Sequence, residues 1–483
     1  MKTVKKKILL FVFIGFLMTV ATSGNGGNPF ADEISTENGY PTWDSDVVNI
    51  EGVDETGSNV YIAVLDTGLA PYWDDYFPEE RIAIEYGIGF QEALVWDKEI
   101  NDFVETTGEV HTTTFIGSRG SCHGTHVTST IIGYFYDTMV DETNGYDIPP
   151  IMVRGIAPNV KIIPVKVLVD YQIPQHYDDA GNLIPPQTVV FGTDRMVAAG
   201  IQYIADLAPS LDGPVIISMS LGGPTPDIET EEAINNAIEN GVIVVASAGN
   251  EGELGMGWPG AYPQVISVGA VGWRYEWWWP GLPDDEGDGP DPDESGYVNS
   301  YSPLEDQRNR LWWLQSQYND FKDVVEENLA DDVYITDFSS RERPDHPYGI
   351  QELDVLAPGS WVRGPYPGTP GYAHLAWWGN GLGGVRGWNP GNFYYVGGTS
   401  MAAPHVSGIA ALMLQANPTL NQADIEQIMK STALEIQPGS MDIVDALYDE
   451  IGNFLGWGWR TVEWESDAIG SGLIQADLAV AAA

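Results

Sequence analysis

Four apolar runs limit what this chain can fold into. They occupy residues 60–65 (VYIAVL), 160–167 (VKIIPVKV), 215–220 (VIISMS) and 242–246 (VIVVA). A strand with one face in water alternates apolar and polar residues, whereas these runs are apolar almost throughout, as strands buried on both faces are. Residues 193–207 carry a helical pattern before the third run, and residues 229–240 carry another before the fourth. Strand and helix in alternation predict an α/β fold: a mostly parallel central sheet with helices on both faces, in three layers. The chain has 483 residues, 43% of them hydrophobic, enough to bury such a core. Groups that act on a ligand are then expected beyond the carboxyl ends of the strands.

Three short stretches carry chemistry. Asp66 closes the first run in LDTG, His123 lies in SCHGTHV, and Ser400 lies in GGTSMAAPHVSG. An acid, an imidazole and a hydroxyl are the parts that turn a weak serine nucleophile into a strong one. His123 and Ser400 each open a stretch that reads as a helix, so each side chain is pinned at one end of an element. A fourth stretch, AGNEG at 248–252, follows the VIVVA run and places the amide of Asn250 at a strand end.

In these motifs the chain closely resembles the subtilisin-like serine proteases. The acid in D-T-G, the imidazole first in H-G-T-H-V and the hydroxyl in G-T-S-M-A-x-P-H occur in the order Asp, His, Ser, which is the family's order. GIAPNVKIIPVKVL, SMSLGG, AYPQVISVGAV, DFSS and LDVLAPG extend the likeness to roughly three quarters of the chain. The resemblance implies a subtilisin-like three-layer fold and a serine endopeptidase. It implies Ser400 as nucleophile, His123 as general base and Asp66 as its orienting acid. Asn250 would line the oxyanion hole beside the Ser400 N–H. Ser220, Leu221, Gly222 and Gly223 would form a wall that pairs with extended substrate. Gly257 would lie at the floor of the specificity pocket and Glu251 at its rim, with broad specificity. A family ligand position falls on Asp75, and calcium is the metal expected. The chain departs from the family in reading Thr128-Ser129 after HGTHV, and in having Cys122 beside His123.

Residues 1–23 read as a secretory signal: Lys2, Lys5, Lys6 and Lys7, then an apolar stretch from Ile8 to Ala21, then Ala21-Thr22-Ser23 as the cleavage site. That predicts a secreted protein, membrane-bound only if the signal stays uncleaved. Residues 24–42 are polar and Gly-rich and read as a flexible arm. Residues 43–483 read as one catalytic domain, with insertions at about 273–332, 362–395 and 441–464. The first insertion holds an acidic loop around Asp284, Glu286 and Asp288, and an amphipathic helix with Leu311, Leu314 and Tyr318 on one face. The others are rich in Trp. The formal charge of −48 becomes −52 once the four signal lysines are removed. Such a surface disfavours nucleic acid and anionic membranes; polypeptide is the partner that the family resemblance implies. Residues 137–144 are a second acidic candidate for calcium. With Cys122 as the only cysteine, no intramolecular disulfide forms. Its place beside His123 predicts sensitivity to mercurials. Two other uses of the scaffold are open to this sequence: a peptide cyclase or transpeptidase, and a non-catalytic binding protein that uses the Trp-rich insertions.

Overall fold

The computed structural model describes residues 8–11, 39, 41–117, 122–136, 151–177, 183–274, 276, 324, 329–367, 393–448 and 454–483. Its centre is a nine-stranded sheet. In chain order the strands are β1 (Tyr61–Asp66), β2 (Ile88–Asp97), β3 (Asp102–Thr113), β4 (Lys161–Lys166), β5 (Val215–Met219), β6 (Ile243–Ser247), β7 (Ile266–Trp273), β8 (Val333–Ile335) and β9 (Val355–Pro358). Their spatial order is β8-β7-β6-β5-β1-β4-β2-β3, with β9 also paired to β7. The pairs β7–β6, β6–β5, β5–β1, β1–β4, β4–β2 and β7–β9 are parallel; only β7–β8 and β2–β3 are antiparallel. The four apolar runs become β1, β4, β5 and β6. Every residue of β5 and β6 is buried, which is why those runs do not alternate.

Helices complete the layers, among them α1 (Trp43–Val47), α2 (His123–Ile132), α3 (Asp194–Leu207), α4 (Ile228–Glu239), α5 (Thr399–Ala416), α6 (Gln422–Thr432) and α7 (Ala476–Ala482). Helices α2 and α5 pack on each other and on the sheet around β1, β5, β6 and β7, while α3 and α4 pair in the other helical layer. Helix α5 is buried from Thr399 to Leu414 and apolar nearly all round, the pattern of a helix enclosed by the core. The expected helical starts are one residue off: Thr193 is the cap of α3 rather than its first residue, and α4 begins at Ile228, after its cap Asp227, rather than at Glu229. Thr193 accepts from the Met196 N–H and Asp227 from the Thr230 N–H, each worth about 1 kcal/mol.

Outside the sheet, Val169–Ile173 and Gln187–Thr193 form an antiparallel pair, and Ile8–Phe11 pairs antiparallel with Val190–Thr193. That short strand falls within the expected signal, and cleavage after Ser23 would remove it. Of the insertions, residues 441–464 lie almost wholly in a ribbon of Gly439–Tyr448 against Phe454–Trp464. Residues 362–365 pair with 393–396. The acidic loop at 284–288, the helix around Leu311 and the acidic stretch 137–144 lie outside the described residues. Among the described residues no helix is long and apolar enough to cross a membrane.

Candidate active site

Strand β1 ends at Asp66, which is fully buried. A buried carboxylate needs donors, and two surround it. The Thr67 N–H donates to Oδ1 at 2.6 Å, and His123 Nδ1 lies 2.9 Å from Oδ1 and 2.8 Å from Oδ2. His123 opens α2, so the start of that helix must come very close to the end of β1. Gly124 allows it: a Cβ there would fall 2.6 Å from Gly68 O and 3.1 Å from Asp66 Oδ1. The Gly124 N–H also donates to Thr67 Oγ1 at 2.9 Å, so both residues of the D-T pair hold α2 in place.

Ser400 is the second residue of α5 and is buried. Pro404 lies one turn on, and proline has no N–H to give the Ser400 carbonyl. Ser220 Oγ supplies the missing donor at 2.7 Å, while Ser400 Oγ donates to Ser220 O at 3.3 Å. The two serines thus clasp each other across β5 and α5. The side chain of Ser220 is spent on this clasp, so only its backbone can meet a ligand.

Asn250 is held from the same helix start. Its Oδ1 accepts from the Thr399 N–H at 2.8 Å and from Thr399 Oγ1 at 3.0 Å. A backbone N–H only donates, so the contact fixes which end of the amide is oxygen. The Nδ2 hydrogens then point away from Thr399 and find no acceptor among the described residues. Thr399 also exchanges hydrogen bonds with Gly249, from Oγ1 to Gly249 O at 3.1 Å and from the Gly249 N–H to Oγ1 at 3.2 Å. Sequence reasoning passed over Thr399. The signal was its place next to Ser400 within GTSM, where a hydroxyl is within reach of whatever faces the helix start.

The expected pocket wall follows β5. Leu221 is buried, with Gly222 and Gly223 partly open. Gly223 is bridged to Trp258 by two backbone bonds, 2.8 and 2.9 Å, which joins the wall to the loop carrying Gly257. Gly257 faces Gly222 and Gly223 with only backbone between them: a Cβ at Gly257 would lie 3.3 Å from Gly223 O. Glu251, expected at the rim, turns its Oε2 back to the Asn250 N–H at 2.8 Å and to Ser340 Oγ at 3.2 Å.

Cys122 differs from expectation. It is fully buried at the start of α2, and its Sγ donates to Pro367 O at 2.6 Å. Burial pushes its pKa well above the usual thiol value, and the charge of Asp170 adds to that. A thiol kept protonated and away from solvent is a poor nucleophile, so the mercurial sensitivity predicted from sequence does not follow. The neighbouring Tyr366, its ring tilted against His126 with centroids 6.2 Å apart, likewise has its pKa raised, first by burial.

Asp75 ends the turn Trp73–Asp75 on the surface beside Asp74. Burial and the Asp74 charge raise its pKa. A carboxylate prepared for a cation sits among several oxygen donors. Among the described residues no group of three or more His, Cys, Asp or Glu comes together to hold a metal.

This arrangement falls in a recognisable class: an α/β protein with an acid–imidazole couple at a strand end and a serine at the head of a helix packed on the imidazole's helix, in the chain order of one group of serine-type endopeptidases. Comparison with known proteins supplies the family. The model of the Subtilase family matches residues 57–458, and the chain belongs to that family. It is 26% identical to subtilisin DY of Bacillus licheniformis over 402 residues, which is 82% of this chain and 91% of the relative. It is 26% identical to subtilisin E of Bacillus subtilis (strain 168) over 382 residues, covering 78% of this chain but 61% of that relative's length. An alkaline protease of Alkalihalobacillus alcalophilus is 27% identical over 381 residues, 79% of this chain and 60% of the relative. Among solved structures, sphericase aligns over 86% of this chain and 96% of its own, with 22% identity and a TM-score of 0.45. Fervidolysin from Fervidobacterium pennivorans aligns over 99% of this chain and 51% of its own, with 21% identity and a TM-score of 0.48.

Proposed function

We propose that this chain is a secreted serine endopeptidase of broad specificity, with Asp66, His123 and Ser400 as its catalytic triad. The observation that carries the reading is the Asp66–His123 contact of 2.8 Å, made by a fully buried carboxylate at the end of β1. With Nδ1–H donated to Asp66, the tautomer is set and Nε2 holds the lone pair. For reaction, Ser400 Oγ rotates from the Ser220 carbonyl toward His123, gives up its proton and attacks the scissile carbonyl. The imidazolium, stabilised by Asp66, then protonates the leaving amine. Water repeats the sequence on the acyl-enzyme and releases Ser400.

The negative oxygen formed on attack meets the Asn250 Nδ2–H and the Ser400 N–H at the start of α5. Both donors are in place before reaction, so little reorganisation is needed as charge develops. Substrate pairs as an added strand along the backbone of residues 220–222, which gives affinity with little sequence preference. With no side chains at Gly222 and Gly257, a roomy pocket floor would suit a large apolar side chain before the cut. Secretion rests on the pattern of residues 1–23, and the strong negative charge fits polypeptide rather than nucleic acid as partner. Calcium remains the metal proposed, with Asp75 as a candidate ligand.

Incubating the purified protein with an unstructured polypeptide and weighing the products tests this reading. Linear fragments, each pair gaining one water, are expected. Products joined without gain of water would mean a transpeptidase or cyclase. No change in mass would mean a binding protein.

A further inference from the structure

Glu251 raises a question that its place beside the pocket does not answer. A carboxylate meant to receive a basic substrate side chain should point into the pocket. Here Oε2 is committed to the protein. It accepts from the backbone N–H of Asn250 at 2.8 Å and from Ser340 Oγ at 3.2 Å. Ser340 is fully buried, and its Oγ also accepts from the Glu251 N–H at 3.1 Å, while its own N–H donates to Gly249 O at 3.1 Å. One hydroxyl thus donates once and accepts once, as its chemistry allows. The residue keeps an exposed flank, but its carboxyl lies among protein atoms. That burial raises its pKa, with the bonds from Asn250 and Ser340 pulling the other way.

The local sequence makes room for this arrangement. Gly249 has φ +109°, and a Cβ there would fall 2.5 Å from Glu251 Oε2 and 2.9 Å from Ser340 Oγ. Any side chain at 249 would expel the carboxyl from its seat. The Gly252 N–H donates to Phe338 O at 3.0 Å, so residues 249–252 are laced to residues 338–340 along their length. Asn250 is consequently gripped at two places. Thr399 takes its side-chain oxygen, and Glu251 takes its backbone N–H.

We propose that Glu251 and Ser340 are positioning residues for the oxyanion-binding amide of Asn250, and that the Glu251 carboxylate does not serve as the acceptor for a basic substrate side chain. This rests on the triad reading above. Held only by Thr399, the Asn250 side chain would swing with its own backbone. The Glu251 carboxylate and the Ser340 hydroxyl fix that backbone, and so fix where Nδ2 meets the developing charge. Because both bonds fall on one oxygen, a glutamine oxygen at the same place can accept both.

The test uses the full chain with two peptide nitroanilides, one with Phe and one with Lys before the scissile bond. Glu251→Ala and Ser340→Ala should each lower kcat at least about tenfold on both substrates, with KM little changed. Glu251→Gln should recover most of that kcat, and its Lys-to-Phe ratio of kcat/KM should equal that of the wild type. Melting curves and active-site titration normalise each rate to folded enzyme; if Glu251→Ala does not fold, Ser340→Ala and Glu251→Gln decide the matter. Selective loss of the Lys substrate in Glu251→Gln would overturn the proposal, since the carboxylate would then be reading substrate charge. Unchanged kcat in Ser340→Ala and Glu251→Ala would overturn it equally. A wild type that cleaves neither substrate would sink the triad reading and this proposal together.

Discussion

Among the described residues two His–Asp couples sit beside the proposed nucleophile's helix, and they are built for opposite ends. Asp66–His123 joins a strand end to a helix start, with Nδ1 at 2.8 Å from the carboxylate and the imidazole 6% exposed. Asp44–His405 joins α1 to α5, with Nε2 at 3.1 Å from Asp44 Oδ2 and the imidazole fully buried. His405 Nδ1 donates to Met401 O at 2.8 Å, so both of its nitrogens are taken by the protein. The same two residue types thus make, on the reading proposed above, a reactive pair at the carboxyl end of a central strand and a tether inside the core. The two pairs differ in where they sit: one at the end of a strand with its ring slightly exposed, the other with its ring wholly inside the core.

Substitutions that separate rate from stability sharpen this contrast. The largest effect is expected at His123→Ala, which should cost about 10⁶-fold in kcat, as loss of a triad member acting as part of a unit does. Its melting temperature should change little. A small loss of rate would mean that Asp66–His123 is a second tether. Next comes Asn250→Ala, which should lower kcat about 10²–10³-fold while KM stays near the wild-type value, because its donor strengthens only as charge forms. A change confined to KM would make Asn250 a substrate-holding residue instead.

Asp44→Ala should do the reverse of His123→Ala. Removing one partner of a buried pair leaves the other uncompensated, at a cost of about 3–5 kcal/mol in stability. Rate per folded molecule should hold. Denaturant titration beside active-site titration measures both, and a fall in kcat without loss of stability would break the distinction. The smallest effect is expected at Cys122. Its buried thiol should resist mercurials in the native enzyme and react only as the protein unfolds. Rapid inactivation of native wild type that Cys122→Ser abolishes would show that the thiol is reached after all.

What was legible in the sequence was what lies close together along it. Residues 60–65 and 242–246 read as buried strands because continuous apolar character has few other uses. Asp66, His123, Ser400 and Asn250 read as a site because each sits in a motif at the end of an element. Contacts that bridge long separations were not legible. Ser220 and Ser400 are 180 positions apart, and nothing near either one announces that Pro404 frees a carbonyl for Ser220. Glu251 was placed at the pocket rim by its neighbours in the chain; its actual partner, Ser340, is 89 positions away. The ribbon of β2 and β3 escaped notice because β3 exposes Thr106, Thr107, Gly108 and Glu109 in a row, then His111 and Thr112, which read as loop when the pairing partner is unknown. Cys122 was judged by adjacency to His123, yet side chains at neighbouring helical positions point in different directions.

The most direct test is the rate at which a serine-directed fluorophosphonate modifies the protein, with the labelled peptide identified by mass. The reagent should label the peptide containing Ser400 and no other. Labelling should disappear in Ser400→Ala, slow by orders of magnitude in His123→Ala, and proceed at the wild-type rate in folded Asp44→Ala. Labelling of another serine, or an equal rate in His123→Ala, would contradict the account that Asp66–His123 is the couple that activates Ser400.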